Sequence, residues 1–230
     1  SQGFKALGAH PNISYRRYNP INILKPWELQ VIFHDKFIVA DSEYLLLGGR
    51  NIGDRYYAPV GYTGSVTNDR DVLVCNKGAT ADNSVINQVN EYMNNLWNSE
   101  YVVEAKAKPS KAIEIKLKTS KENFEKENPD LYCKTLEDFN GEMIKTNGIN
   151  LVFNPLDTTK KEPWLGYQLR ELGYGAKEKI LIQTPYSTAN KHYLEAFKNM
   201  ADQTEVSLLT NSIGSTPNFP AFSNYYSQRG

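Results

Sequence analysis

Apolar positions along this chain recur with two different periods, and the switch between them marks its elements. Residues 14–18, 31–40, 44–47 and 71–76 are short runs rich in Val, Ile, Leu, Phe and Tyr, the composition of strands. Asp41, Ser42 and Glu43 separate the second run from the third, so residues 31–48 predict a hairpin. Val85, Ile86, Val89, Tyr92, Met93, Leu96 and Trp97 instead recur at helical spacing. They predict a helix capped by Asp82 or Asn83 and running to about residue 98, its stripe serving core packing. Residues 53–68 carry Gly, Pro and Tyr without a period. Because they follow the hairpin directly, they form either the rim of a cleft or an ordinary surface loop.

The pattern changes from residue 105 to 143. Lys106, Lys108, Lys111, Lys116, Lys118 and Lys121 are followed by Glu122, Glu125 and Glu127, and the mixed signs predict a solvated helical linker. Pro129 divides it into two pieces. The same lysines also suit an anionic membrane surface. Beyond residue 148 the order reads helix, strand, helix, strand. Trp164, Leu165, Leu169 and Leu172 pattern the first helix, which ends near Gly173 or Gly175. Residues 179–183 form a parallel-type strand, and residues 189–201 a helix with Leu194, Phe197 and Met200 inward. Residues 206–210 form the last strand. Thr210, Asn211 and Ser212 follow its C-terminal end, a position for ligand contacts in α/β proteins or simply for loop capping.

Charge narrows the choice of partner. The 26 basic residues balance the 26 acidic ones, which weighs against a nucleic-acid partner, though a local basic cleft remains compatible. Cys75 and Cys133 have neither metal-ligand spacing nor a disulfide framework; Cys75 is expected in a buried strand and Cys133 as a plain thiol. No apolar run approaches the length of a membrane span.

The candidate chemistry lies in HDKFIVADSEYLLLGGRN. On a strand, His34 and Lys36 share one face, with Asp35 and Phe37 on the other. An imidazole and an ammonium thus project together, close enough to hold one phosphate. Gly48 and Gly49 allow positive φ or a close backbone approach, and the hairpin returns Asn51 towards His34. A neutral imidazole can attack phosphorus or accept a proton near neutral pH. Lys36 and Asn51 can hold the non-bridging oxygens, where negative charge grows in the transition state. Asp41 either orients a neighbour or caps the turn.

Taken together, His34, Lys36, Asp41, Gly48, Gly49 and Asn51 resemble the HKD signature of the phospholipase D superfamily. The extension GGRNIGDRYY is similar to the bacterial cardiolipin synthase-like branch. HPNISYRRYNP, DRDVLVCNKG and VINQVNEYMNNLWNSE resemble that family's strands and helix around the signature. KILIQTPYSTANKHYLEAFKNM and EVSLLTNSIGSTPNFPAFSNYYSQR resemble the opening of its second lobe. The resemblance implies an α/β phospholipase D-like fold, a mixed, mainly central sheet flanked by helices. Residues 1–104 then form a first lobe lacking its N-terminal strand, residues 105–147 a helical linker, and residues 148–230 the beginning of a second lobe.

It further implies a phosphatidyltransferase or phospholipase working through a phosphohistidine, with no metal or other cofactor. His34, Lys36 and Asp41 are then the catalytic set, and Lys36 and Asn51 bind phosphate. The implied partners are a phospholipid, an alcohol or water acceptor, and the surface of the bacterial cytoplasmic membrane. This chain departs from the pattern in having Gly49 where many members have Ser, and in carrying one signature where the family uses two. His10 precedes Pro-Asn and His192 precedes Tyr-Leu, so neither begins a second His-x-Lys. The second half is expected from a missing C-terminal lobe or a homodimer partner, and residues 1–230 alone are expected to be almost inactive. Two other readings are a phosphodiesterase or endonuclease on nucleic acid, and a degenerate, non-catalytic lobe. The intact polar set argues against the last.

Overall fold

Strand formation begins where β-branched and aromatic residues cluster, and it stops where a polar side chain captures the backbone. A computed structural model describes residues 8, 10–76, 84–105, 110–132, 135, 138–139, 141–156, 163–187 and 189–215. In chain order these contain β1 (Arg16–Tyr18), β2 (Phe37–Ala40), β3 (Tyr44–Gly48), the single-turn α1 (Asp54–Tyr57) and β4 (Asp71–Cys75). Then follow α2 (Val85–Trp97), β5 (Val102–Glu104), α3 (Lys111–Glu127), α4 (Trp164–Gly175), β6 (Lys179–Thr184), α5 (Lys191–Ala201) and β7 (Glu205–Thr210). Short 3-10 turns cover Pro26–Gln30, Pro129–Tyr132 and Ile213–Ser215. The class is mixed α/β.

The expected single central sheet is not formed among the described residues. The strands make three separate sheets: antiparallel β1–β5, antiparallel β2–β3–β4 and parallel β6–β7. Among these residues only β1 pairs with a strand distant in the sequence, β5. β2, β3 and β4 follow one another antiparallel, while β6 and β7 are joined through α5 alone. Between β1 and β2 the 3-10 turn starting at Pro26 interrupts the extended chain.

The chain divides into two units, Ser1–Leu151 with Leu156–Lys160, and Val152–Pro155 with Lys161–Gly230. In the first, Leu45, Val85, Ile86 and Val89 form the buried centre, with Phe37, Val39, Val74 and Leu151 packed around it. One face of the β2–β3–β4 sheet is thereby closed by α2, as the helical stripe predicts. The expected caps Asp82 and Asn83 lie outside the described residues; Ser84 is the N-cap, its side chain accepting from the Asn87 N–H at 3.2 Å. The helix ends at Trp97, as expected within a residue. Gln88 of α2 accepts from the Leu151 N–H at 2.8 Å.

α3 buries none of its residues, in keeping with the solvated linker helix. Lys118–Glu122 and Lys121–Glu125 pair at 3.9 and 3.5 Å, contributing only a few tenths of a kcal/mol each. Pro129 begins a separate turn, as expected. Lys106, Lys108 and Cys133 lie outside the described residues. Cys75 is a free, half-buried thiol at the end of β4.

In the second unit, β6 and β7 pair in parallel from Lys179↔Glu205 to Thr184↔Thr210. Asn190 caps α5 by accepting from the Tyr193 N–H at 3.1 Å. Ala196 and Met200 are its buried residues; Leu194 is 36% exposed and Phe197 half-buried, so the inward face lies one step from the expected one. Gly173 stays inside α4, where the Met200 side chain fills the space a Cβ would need, and the helix ends at Gly175. Beyond β7, the Ser212 and Ser215 hydroxyls lie 3.2 Å apart, and both the Ser215 N–H and hydroxyl donate to the Ser212 carbonyl, which builds the local turn. No helix among the described residues is long and apolar enough to cross a membrane.

Candidate active site at the open end of the hairpin

The hairpin determines which of the predicted residues can meet. β2 and β3 pair from Phe37↔Leu47 to Ala40↔Tyr44, and the Gly48 N–H adds a rung to the Lys36 carbonyl at 3.2 Å. Residues 31–36 therefore continue as an extended tail, not as the expected strand. Their would-be partner turns away after Gly48 because Arg50 draws it towards β4 and α1. The Arg50 guanidinium donates to the Asp71 carboxylate at 2.5 Å, the Asp69 carbonyl at 2.6 Å and the Tyr56 carbonyl at 2.8 Å. The hydrogen bond to Asp71 raises the guanidinium pKa further, reinforced by the charges of Asp71 and Asp69, so the guanidinium keeps its charge.

The same pair explains the glycines. Neither Gly48 nor Gly49 has positive φ. A Cβ at Gly48 would overlap the Asp71 carboxylate, and one at Gly49 the Asp69 carboxylate. Close approach is thus the operative reason. Gly48→Ala is expected to destabilise the protein by about 1–3 kcal/mol in denaturant titration, because the Asp71 Cβ itself stands in the way. Gly53→Ala, with open space at its Cβ, serves as the control and should change stability by less than about 0.5 kcal/mol.

Phe37 packs on the core, its ring 6.3 Å from that of Tyr92. The buried Tyr92 hydroxyl donates to the Asp35 carboxylate at 2.6 Å. Burial first, and then this hydrogen bond, push the Tyr92 pKa well above that of an ordinary phenol, so it remains a donor. Asp35 is in this way moored to α2. His34 and Lys36 flank Asp35 in the sequence. His34 is exposed and Lys36 half-buried. The Lys36 ammonium donates to the His34 carbonyl at 2.5 Å, which holds the charge beside the imidazole-bearing residue. Two of its three N–H groups remain for a ligand.

Asn51 follows Gly48 at the same end of the hairpin. Its amide donates to the Tyr56 hydroxyl at 2.6 Å, which fixes the side chain and leaves its second N–H. Residues 53–68 contribute α1 and a clasp in which Arg55 donates to the Thr67 hydroxyl at 2.7 and 2.9 Å. The Thr67 N–H returns to the Arg55 carbonyl at 2.8 Å. Asp41 is placed elsewhere. With Ser42 it adopts φ of 53° and 54°, and the Glu43 N–H closes onto the Ala40 carbonyl at 3.0 Å. Two successive positive φ values match the type I′ turn that suits a twisted hairpin. Asp41 is thus at the closed end, roughly 16 Å of strand away from Lys36. Lys36 is bonded to His34 before β2, Asn51 is bonded to Tyr56 after β3, and Asp41 stays at the closed end.

Arg50, Tyr56, Asp69, Asp71 and Tyr92 were not singled out in the motif. The signal for them is the alternation Asp69-Arg70-Asp71 at the start of a strand pairing with Gly48. Among the described residues no group of three or more His, Cys, Asp or Glu side chains is placed to hold a metal ion.

No family model matches this chain, and no solved structure matches it. Two uncharacterized proteins of Helicobacter pylori, from strains ATCC 700392 / 26695 and J99 / ATCC 700824, are each 25% identical to it. Each match covers 91% of this chain and 45% of the relative, so the chain spans less than half the length of these relatives.

Proposed function

We propose that the chain carries one half of a phospholipase D-like phosphodiester-transfer site, and that its substrate is a phospholipid. One observation carries the reading: the Lys36 ammonium is bonded to the backbone of His34 on an exposed tail, at the hairpin end that also holds a fixed Asn51 amide. Three groups there fit the needs of phosphoryl transfer without a metal. The neutral His34 imidazole attacks phosphorus, forming a P–N bond while the P–O bond to the leaving alcohol breaks. Lys36 and Asn51 stabilise the charge that grows on the non-bridging oxygens. A general acid protonates the departing alkoxide. In this reading it is the histidine of a second half, from a further lobe or a second copy. Water or an alcohol then attacks phosphorus, releasing His34 and giving hydrolysis or transfer respectively. Asp41 enters as the residue that shapes the turn and holds the register leading to Lys36. Balanced overall charge favours a lipid over a nucleic acid as the ester.

The test is a comparison of phosphatidylglycerol and oligonucleotide cleavage by the full-length protein. Turnover of the lipid with no nuclease activity is expected. Cleavage of the oligonucleotide alone would overturn the choice of substrate.

A further inference from the structure

The segment leading into His34 presents an apolar surface that the reaction itself does not use. Ile21, Ile23, Leu24, Trp27, Leu29 and Ile32 are 82%, 89%, 85%, 69%, 56% and 64% exposed. This density of bare apolar side chains in twelve residues is unlike the scattered ones of an ordinary surface. Nor is it a slack loop. The Asn19 amide donates to the carbonyls of Glu28 and Val31 at 2.8 and 2.9 Å, closing the loop across its base. The nearly buried Glu28 pairs with Lys25 at 3.0 Å, and the Lys25 N–H bonds the Asn22 carbonyl at 3.1 Å. The framework holds the aliphatic side chains outward. Beneath them runs a groove of about 290 Å³, lined in part by Tyr18, Ile21, Leu29, Val31, Ile32 and Phe33.

We propose that residues 20–32 form a bilayer-docking loop that seats its apolar side chains in an anionic phospholipid surface and sets His34 at the level of the phosphates. The proposal rests on the phosphodiester-transfer reading of His34 and names how that site meets its substrate. Three observations choose lipid as the occupant. The loop combines aliphatic residues with a Trp and a Lys, the mixture that lies at a membrane–water boundary. Between residues 16 and 36, Arg16, Arg17, Lys25 and Lys36 outnumber Glu28 and Asp35, a local excess in a chain whose formal net charge is zero, which complements anionic headgroups. The spacing also fits. Two residues, at most roughly 7 Å of chain, separate Ile32 from His34. An interfacial element buries its apolar face by about 5–10 Å. Side chains at residues 21–32 can therefore reach the acyl region while the imidazole stays among headgroups.

The experiment is co-sedimentation of the protein with vesicles of phosphatidylglycerol mixed with phosphatidylcholine, with tryptophan emission followed in parallel. Wild-type protein should bind with a blue shift that Trp27→Phe removes. The double variant Ile23→Asp, Leu24→Asp should need at least ten-fold more lipid for half-binding. Both positions are more than 80% exposed, so its far-UV spectrum and unfolding midpoint should match the wild type. His34→Ala should bind vesicles as the wild type does, which separates docking from chemistry. If His34→Ala keeps turnover, the reaction is misassigned while docking stands. Wild-type protein that leaves vesicles bare would overturn the docking loop, as would a double variant that binds equally well. So would a wild type that only self-associates through the loop.

Discussion

His34→Ala in the full-length protein is expected to lower phospholipid turnover by at least about 10³-fold while shifting unfolding stability by less than about 0.5 kcal/mol. The two halves of this result have separate causes. His34 is exposed and lies outside the core, so truncating it removes no packing. What it removes, in the proposed reading, is the nucleophile that bonds to phosphorus. Lys36 and Asn51 would still bind the phosphate oxygens, so the loss should fall on kcat and leave KM nearly unchanged. A rise in KM with kcat preserved would instead make His34 a binding residue. Lys36→Ala should differ, since it takes away charge stabilisation and the bond to the His34 carbonyl together.

Ile86→Ala is expected to destabilise the first unit by about 2–5 kcal/mol. Ile86 is fully buried, at 0% exposure, and packs with Leu45, Val85 and Val89 where α2 meets the β2–β3–β4 sheet. Alanine is the better helix former, so helix propensity offsets a few tenths of the loss and the remainder is lost packing. A domain of ordinary stability has about 5–15 kcal/mol in total, so a large share would go. The site should suffer with it. Tyr92, which moors Asp35, sits on the same helix, and its phenol depends on α2 staying docked. Urea titration of the variant reads the stability, and the midpoint should fall without a change of slope.

Elements were legible in the sequence where a period was long or a turn was chemically marked. The stripe from Val85 to Trp97 specified α2 because seven apolar positions agree on one face. The Asp41–Glu43 interruption specified the hairpin because three polar residues stand between two apolar runs. The order after residue 148 was readable for the same reasons. The end of β2 was not legible, since residues 31–36 have strand composition and only the pull of Arg50 on the returning loop denies them a partner. Single-sheet architecture was not legible either, because strand pairing is decided by three-dimensional geometry that composition does not encode.

The candidate site was readable in part. Spacing singled out His34, Lys36 and Asn51; Lys36 is bonded to the His34 carbonyl, and Asn51 to the Tyr56 hydroxyl. The same spacing grouped Asp41 with them, although the turn chemistry that made Asp41 conspicuous also places it at the far end. Of the two reasons the glycines offered, close approach is the operative one: their φ is ordinary, and the carboxylates of Asp71 and Asp69 occupy the space a Cβ would need. Contacts of that kind join residues about twenty positions apart and leave no local signature.

The most direct measurement is trapping with a phosphorus-labelled phospholipid under an alkaline denaturing quench, followed by peptide mass mapping of the full-length protein at alkaline pH. The account predicts an acid-labile, base-stable phosphoryl group on the peptide containing His34, absent in His34→Ala and discharged by added alcohol. Label that appears elsewhere under steady turnover, or persists on this peptide in His34→Ala, would contradict it.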